Sequence, residues 1–130
     1  MGTMFNHVAV ASGSEEKARL FYGQLLGLDE AYRFRVDAWL AQKIFGIEKD
    51  LAVLVFTAKN FKLEVFILPQ ENLITPRINH ICLDVTDRAG LLSRLRREGL
   101  EVLEIPREHG VTVFVKDFYG NLLEIKEMQK

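Results

Sequence analysis

His7 and His80 open two near-copies of one phrase, Asn6-His7-Val8-Ala9-Val10 and Asn79-His80-Ile81-Cys82-Leu83-Asp84-Val85. Glu64 and Glu124 sit inside two later apolar runs, Leu63-Glu64-Val65-Phe66-Ile67 and Leu123-Glu124-Ile125. The histidines stand 73 residues apart (80 − 7) and the glutamates 60 (124 − 64), so the order His then Glu is kept while the loops between differ in length. Two imidazoles and two carboxylates form a mixed nitrogen and oxygen set without thiolate, which suits a divalent ion such as Mn, Fe, Co, Ni or Zn. Four protein ligands leave two positions of an octahedron for water or for two substrate oxygens. An ion so held acts as a Lewis acid toward a carbonyl, and a carboxylate beside it can take a proton from the adjoining carbon.

A glutamate in the middle of an apolar strand is costly unless its charge meets a partner. In both runs the flanking apolar residues point to the face opposite the carboxylate. A single such His or Glu would be read as part of a solvated sheet face, a common state of antiparallel sheets. The repetition favours one shared polar centre over four separate exposures, provided that the two halves pack face to face.

The elements that must carry these residues follow from periodicity. Met4 to Ala11 alternates as a strand, with Val8 and Val10 on one face and His7 and Ala9 on the other. Ser12-Gly13-Ser14-Glu15-Glu16 then supplies N-cap candidates and acidic first-turn residues. Ala18, Phe21, Tyr22 and Leu25 recur at helical spacing up to a stop at Gly27. Tyr32, Phe34 and Val36 alternate with Arg33 and Arg35 as a second strand. The stretch from Asp37 to Phe45 fits a short helix ending at Gly46 or a packed loop equally well. Leu51 to Ala58 and Phe61 to Leu68 read as a hairpin around Lys59-Asn60, and Pro69 ends its ladder.

A linker from Leu73 to Ile78 with Pro76 joins the copies and is too short to separate independent domains. Ile78 to Val85 repeats the opening strand. Asp87 caps a helix whose Ala89, Leu91, Leu92 and Leu95 face inward and which Gly99 closes. Leu100 to Ile105, Val111 to Val115 and Asn121 to Lys126 complete the second half as strands, with turn chemistry at His109-Gly110 and Tyr119-Gly120-Asn121. Each half is therefore expected as strand, helix, three strands.

A chain of 130 residues, 48% hydrophobic and 27% charged, has the composition of an ordinary globular domain with a real core. Seventeen basic against eighteen acidic side chains leave a formal charge of −1. No overall field recruits nucleic acid or an anionic membrane, and no apolar run approaches the roughly 20 residues that span a bilayer. The single cysteine, Cys82, forms no intramolecular disulfide, and the N-terminus lacks the layout of a signal peptide. Cytoplasmic localisation is the expectation.

The double strand-helix-three-strand layout, Phe21-Tyr22 followed by Leu26-Gly27-Leu28, and the closing Val115-Lys116-Asp117-Phe118-Tyr119-Gly120-Asn121-Leu122-Leu123-Glu124 resemble the vicinal oxygen chelate superfamily. That superfamily includes glyoxalase I, methylmalonyl-CoA epimerase, extradiol dioxygenases and the bleomycin and fosfomycin resistance proteins. The closing segment is similar to the family's Asp-Pro-Asp-Gly-Asn turn before a glutamate-bearing strand, from which Phe118 and Tyr119 depart. The resemblance implies an α+β fold. Two βαβββ modules, residues 1–70 and 78–130 of a single domain spanning 1–130, have curved mixed sheets enclosing a cleft with helices outside.

The family's metal positions match His7, Glu64, His80 and Glu124. That set is nearest to glyoxalase I-like members, which implies a lyase or isomerase with one divalent ion per site and Glu124 or Glu64 as the proton-transferring carboxylate. Epimerase-like members commonly carry Gln in place of the first Glu, extradiol dioxygenases use two His and one Glu around iron, and bleomycin-binding members need no metal. The substrate class implied is a small oxygenated molecule, including glutathione or CoA conjugates. Arg33, Arg35, Lys59, Lys62, Arg77, Arg107 and Lys116 include its candidate anchors, though solvated edges are the preferred reading of them. His109 reads as a solvated turn residue, Cys82 as small apolar filling, and Trp39, Phe45 and Tyr32 as core aromatics or pocket walls. A module with one His and one Glu needs a second module to complete the set. Glyoxalase I-like relatives built from two modules do this across a homodimer, which is the assembly expected here.

Overall fold

The structure, a computed structural model, describes residues 2, 5–73 and 80–129. Two compact units divide the chain, Met1–Leu73 and Ile74–Lys130. Each is built around one four-stranded mixed sheet. The fold is α+β, two modules of the βαβββ kind, with a helix added to the first.

In the first unit β1 (Val8–Ser12) is followed by α1 (Glu15–Ala18), which continues as a π-helical stretch over Arg19–Leu25. The remaining elements are β2 (Asp29–Val36), α2 (Ala38–Phe45), β3 (Leu51–Ala58), β4 (Phe61–Ile67) and a 3-10 turn at Gln70–Asn72. The sheet order is β1-β4-β3-β2, with β1 and β4 parallel and the other pairs antiparallel. Ser14 caps α1 by accepting from the Lys17 amide. The expected helical stripe is the one that is buried: Ala18, Phe21, Tyr22 and Leu25. The Tyr22 ring lies 5.9 Å from that of Phe56, which fixes this helix on the sheet face that carries Leu54, Phe56, Leu63 and Val65.

The opposite face of the same sheet is also packed, and α2 is the reason. Asp37 caps α2 through the Leu40 amide, and Gly46, at φ 72°, ends it in the left-handed region that glycine tolerates. Ala41 of α2 is buried among Val36, Leu51, Val53 and Val55, with Phe34, Ile47, Phe66 and Leu68 at the margin. The ambiguous stretch is thus a helix, and the first half departs from the expected strand-helix-three-strand order by this insertion. Trp39, Tyr32 and Phe45 are exposed, so they are not the core aromatics expected from composition.

The second unit runs β5 (Ile81–Val85), α3 (Arg88–Arg97), β6 (Val102–Arg107), β7 (Gly110–Lys116) and β8 (Leu122–Glu127), in sheet order β5-β8-β7-β6. Asp87 caps α3 by accepting from the Gly90 amide. Leu91, Leu92 and Leu95 are buried, as are Val113, Val115, Leu123 and Ile125 on one face of the sheet. β6 starts two residues later than expected because Gly99 and Leu100 are consumed in stopping the helix: the Leu100 amide bonds back to the Leu95 carbonyl. Ahead of β8, Asp117 accepts from the Tyr119 amide, the Asn121 amide and the Asn121 side chain, which closes the turn, and Gly120 takes a positive φ of 86° within it.

Two boundaries bear on the site. The opening strand was expected from Met4 and the second from Ile78, but the ladders begin at Val8 and Ile81. His7 and His80 therefore stand one residue before β1 and β5, against the expectation of strand-borne histidines, because the partner strands β4 and β8 have only just left their turns at that level. Met4, Arg77, Asn79, Pro76 and the rest of the linker beyond Leu73 lie outside the described residues. No helix among those described is long and apolar enough to cross a membrane.

A charge network ties the first helix to the edge strand β2. Arg33 donates to both carboxylate oxygens of Glu15, at 2.9 and 3.0 Å, and Arg19 likewise to Glu30, at 2.9 and 3.1 Å. The hydrogen bonds from Arg33 hold the Glu15 carboxyl below its usual range against the opposing effect of burial. A carboxyl with a lowered folded pKa stabilises the fold above its unfolded pKa, and that contribution is lost as pH falls through the folded value. Glu15→Gln is accordingly expected to lower the thermal midpoint by a small amount at pH 7. At a pH below the folded pKa of Glu15 it leaves the midpoint unchanged, as paired melting curves would show.

Candidate metal centre

The parallel pairing of first and last strands brings His and Glu together in each half. In the first unit Ala9 is in register with Glu64, and Val55 of β3 flanks it from the other side. In the second, Cys82 is in register with Glu124, and Phe114 of β7 flanks it. Side chains in register share a face, and so do residues two apart on one strand. Each His precedes the register partner of its Glu by two residues and approaches from the same side. His7 Nε2 lies 3.4 Å from Glu64 Oε1, and His80 Nε2 lies 3.7 Å from Glu124 Oε1.

The first distance is that of two donors sharing an ion, and the second is a few tenths of an ångström longer. Two donors at about 2.1 Å from a divalent metal stand roughly 3.0 to 3.4 Å apart, between right-angled and tetrahedral geometry. Both donors are oxygen or nitrogen, and each pair is partly open: the His side chains are each 38% exposed, Glu64 13% and Glu124 21%. The four candidate side chains thus meet two by two, one pair in each unit. Among the described residues, no three His, Cys, Asp or Glu side chains form a metal cluster within either unit.

The role of Asn6 was missed. Its Oδ1 lies 2.7 Å from His7 Nδ1. An amide oxygen there accepts from a protonated Nδ1 while Nε2 faces Glu64, the arrangement that orients metal-binding imidazoles. The signal was in the sequence, since Asn-His occurs at both ends of the duplication; Asn79 lies outside the described residues. His80 instead has the Phe114 ring against it, with centroids 5.5 Å apart in an edge-to-face contact.

Other candidates resolve individually. Cys82 is exposed beside Glu124 and is not apolar filling, since β5 is an edge strand of its sheet. Its thiol is pushed up by partial burial of the sulfur and then by the neighbouring Glu124 carboxylate. His109 is a solvated turn residue at 91% exposure, as expected. Most of the candidate anchors are engaged. Arg33 pairs with Glu15, Arg35 with Asp50 and Lys116 with Glu101, while Arg107 reaches Thr112 and Lys62 lies over the Tyr32 ring. Beside Glu124 a polar hollow of about 590 Å³ is lined by residues that include Asp84, Thr112 and Lys126, none of them singled out from the sequence.

Residues 4–125 match the model of the Glyoxalase/Bleomycin resistance protein/Dioxygenase superfamily. The chain belongs to that superfamily. Among solved structures it is similar to the fosfomycin resistance protein FosX from Listeria monocytogenes, one form of which is a mutant complexed with Mn(II) and 1S,2S-dihydroxypropylphosphonic acid. The TM-score with that form is 0.74 at 18% identity, over 99% of this chain and 95% of that one. FosX from Mesorhizobium loti gives 0.71 at 14% identity, over 99% and 94%. A protein from Bacillus anthracis assigned to the glyoxalase family gives 0.67 at 23% identity, over 99% and 97%. At these identities the likeness establishes the fold. No curated protein sequence matches the chain.

The Asn6 contact gives a direct test. Asn6→Ala removes the acceptor from Nδ1 without touching a ligand, and is expected to weaken divalent-ion binding about 10- to 100-fold. Calorimetric titration with Ni or Zn would measure it, with unchanged melting of the metal-free protein as control.

Proposed function

We propose that this protein is a metal-dependent enzyme of the glyoxalase I-like kind, a lyase or isomerase that moves a proton next to a carbonyl of a small oxygenated substrate. The observation that carries the reading is the His–Glu pair built twice, at 3.4 and 3.7 Å, from the same register position of each half. His7, Glu64, His80 and Glu124 would together hold one divalent ion, of the Ni, Co, Zn, Mn or Fe class. Mn(II) in the FosX relative supports that class. Once bound, such an ion supplies Lewis-acid polarisation of the substrate carbonyl. Glu124 is the carboxylate assigned to take and return the proton, with Glu64 as second choice. Glu124 is the more exposed of the two, and the polar hollow beside it gives a substrate room to approach. The exposed free thiol of Cys82 fits a reducing cytoplasm.

A second reading, resistance chemistry on a phosphonate, is favoured by the likeness to FosX and by the phosphonic acid bound in that relative. Elemental analysis, followed by turnover screens on thiohemiacetals, acyl-CoA esters and fosfomycin, separates the two. Glu124→Gln keeps an oxygen ligand and the side-chain shape but loses the base. It is expected to retain metal while losing turnover by about two orders of magnitude or more. Unchanged turnover would remove Glu124 from the proton-transfer role.

Each half supplies one His and one Glu, and we assign completion of the set to a homodimer, with the pair of one chain meeting the pair of another. One inactive chain carries His7→Ala with Glu64→Ala and a second carries His80→Ala with Glu124→Ala. Co-refolding them should restore metal binding in part, because a heterodimer then contains one intact set. No recovery on mixing would place each complete site within one chain.

A further inference from the structure

A second hollow lies in the first unit, on the sheet face that carries Glu64. It measures about 200 Å³ and is lined by apolar residues alone, among them Ala11, Phe45, Ile47, Phe66 and Leu68. The ladder fixes its place relative to the His7–Glu64 pair. Ala9, the register partner of Glu64, also lines it, and Ala11 is in register with Phe66, two residues beyond Glu64 on β4, so the hollow starts beside the pair and extends about 7 Å along the same face. Its outer wall is α2: the Phe45 ring meets the Phe66 ring edge to face with centroids 5.2 Å apart, and Ile47 follows the Gly46 stop.

We infer that this hollow receives an apolar substituent of the substrate, of phenyl or short alkyl size, whose polar end is held at the His7–Glu64 pair. The inference rests on the metal-centre reading for the polar end, while the apolar subsite stands on the first unit alone. An apolar cavity of about 150 Å³ accepts a benzene ring, so about 200 Å³ accepts a ring or a chain of four to six carbons. The lining offers no hydrogen-bonding side chain to a phosphonate, a carboxylate or a peptide. The substrate class that fits is a hydrophobic carbonyl or hydroxy compound with its oxygens at one end, and not a small dianion such as the ligand of the FosX relative.

The test has an arm without metal. Toluene titrated into the metal-free full chain should shift the methyl resonances of Ala11, Ile47 and Leu68 in a saturable way. Absence of those shifts overturns the subsite whatever the metal does, and so does their movement on diluting the protein alone, which would assign the hollow to a second copy of the chain. The second arm compares benzohydroxamate with acetohydroxamate on the Ni-loaded protein. The aryl compound is expected to bind about tenfold tighter or more, and Ala11→Leu, which fills the hollow, should reduce that preference to near unity. Phe45→Ala, which removes the exposed wall, should do the same if the filled variant does not fold. Equal binding of both compounds to the unsubstituted protein would overturn the assignment. Failure of both hydroxamates to bind, with the toluene shifts intact, removes the metal centre and leaves the apolar subsite supported.

Discussion

The parallel pairing of the first strand of each half with its last is the constraint on which the site depends. Parallel neighbours cannot be joined by a tight turn, so everything between β1 and β4, or between β5 and β8, is a crossover that returns the chain beside its starting strand. The register of that return is set by burial. Leu63 and Val65 in one half, and Leu123 and Ile125 in the other, are buried against the helix side. A slip of one residue would exchange them for Glu64 or Glu124. Core packing on one face therefore decides the position of the carboxylates on the other, and places each at the level of a histidine that has no ladder of its own.

That coupling explains what could be read from the sequence. Period-two alternation around Glu64 and Glu124 carried the face assignment, and Ser14, Asp87, Gly27 and Gly99 carried the ends of the long crossover helices. α2 was illegible for a physical reason. Trp39, Leu40, Ile44 and Phe45 are all apolar and all exposed, while Ala41 is the residue that is buried. The amphipathic contrast that signals a surface helix is missing where the apolar residues face outward. Asn6 was overlooked for another reason: the repeated Asn-His pair marks the position, but its role lies in one hydrogen bond to its neighbour, which neither periodicity nor composition reports.

The two halves keep the same ligand geometry in different surroundings. The first sheet is packed on both faces, by the α1 crossover and by α2, and the space beside Glu64 is apolar. The second sheet is packed on the face carrying Leu123 and Ile125. Its other face carries His80, Cys82, Asp84, Thr112, Glu124 and Lys126, and the space beside Glu124 is polar. Duplication thus conserved the pairing register and let the neighbouring walls diverge. Under the proposed function, chemistry would fall to the His and Glu positions common to both halves, and selectivity to α2 and the side chains around the register pair.

The electrostatics of the first pair bear on what occupies the space between its members. The amide oxygen of Asn6 lies 2.7 Å from His7 Nδ1, and His7 Nε2 stands 3.4 Å from a Glu64 oxygen, facing it as an acceptor in the Nδ1–H tautomer. Two acceptors at that separation repel unless a cation lies between them or beside both. A proton on Nε2 meets the need for one acceptor pair, but the Glu64 side chain is 13% exposed and its charge is only partly hydrated. A divalent ion satisfies both lone pairs at once and keeps further positions for a partner pair and for oxygens of a substrate. At the second pair His80 Nε2 and a Glu124 oxygen stand 3.7 Å apart, and Cys82 is in register with the half-buried carboxylate. An imidazole set beside a carboxylate twice by an identical register supports the proposed metal centre more than the presence of four suitable residue types does.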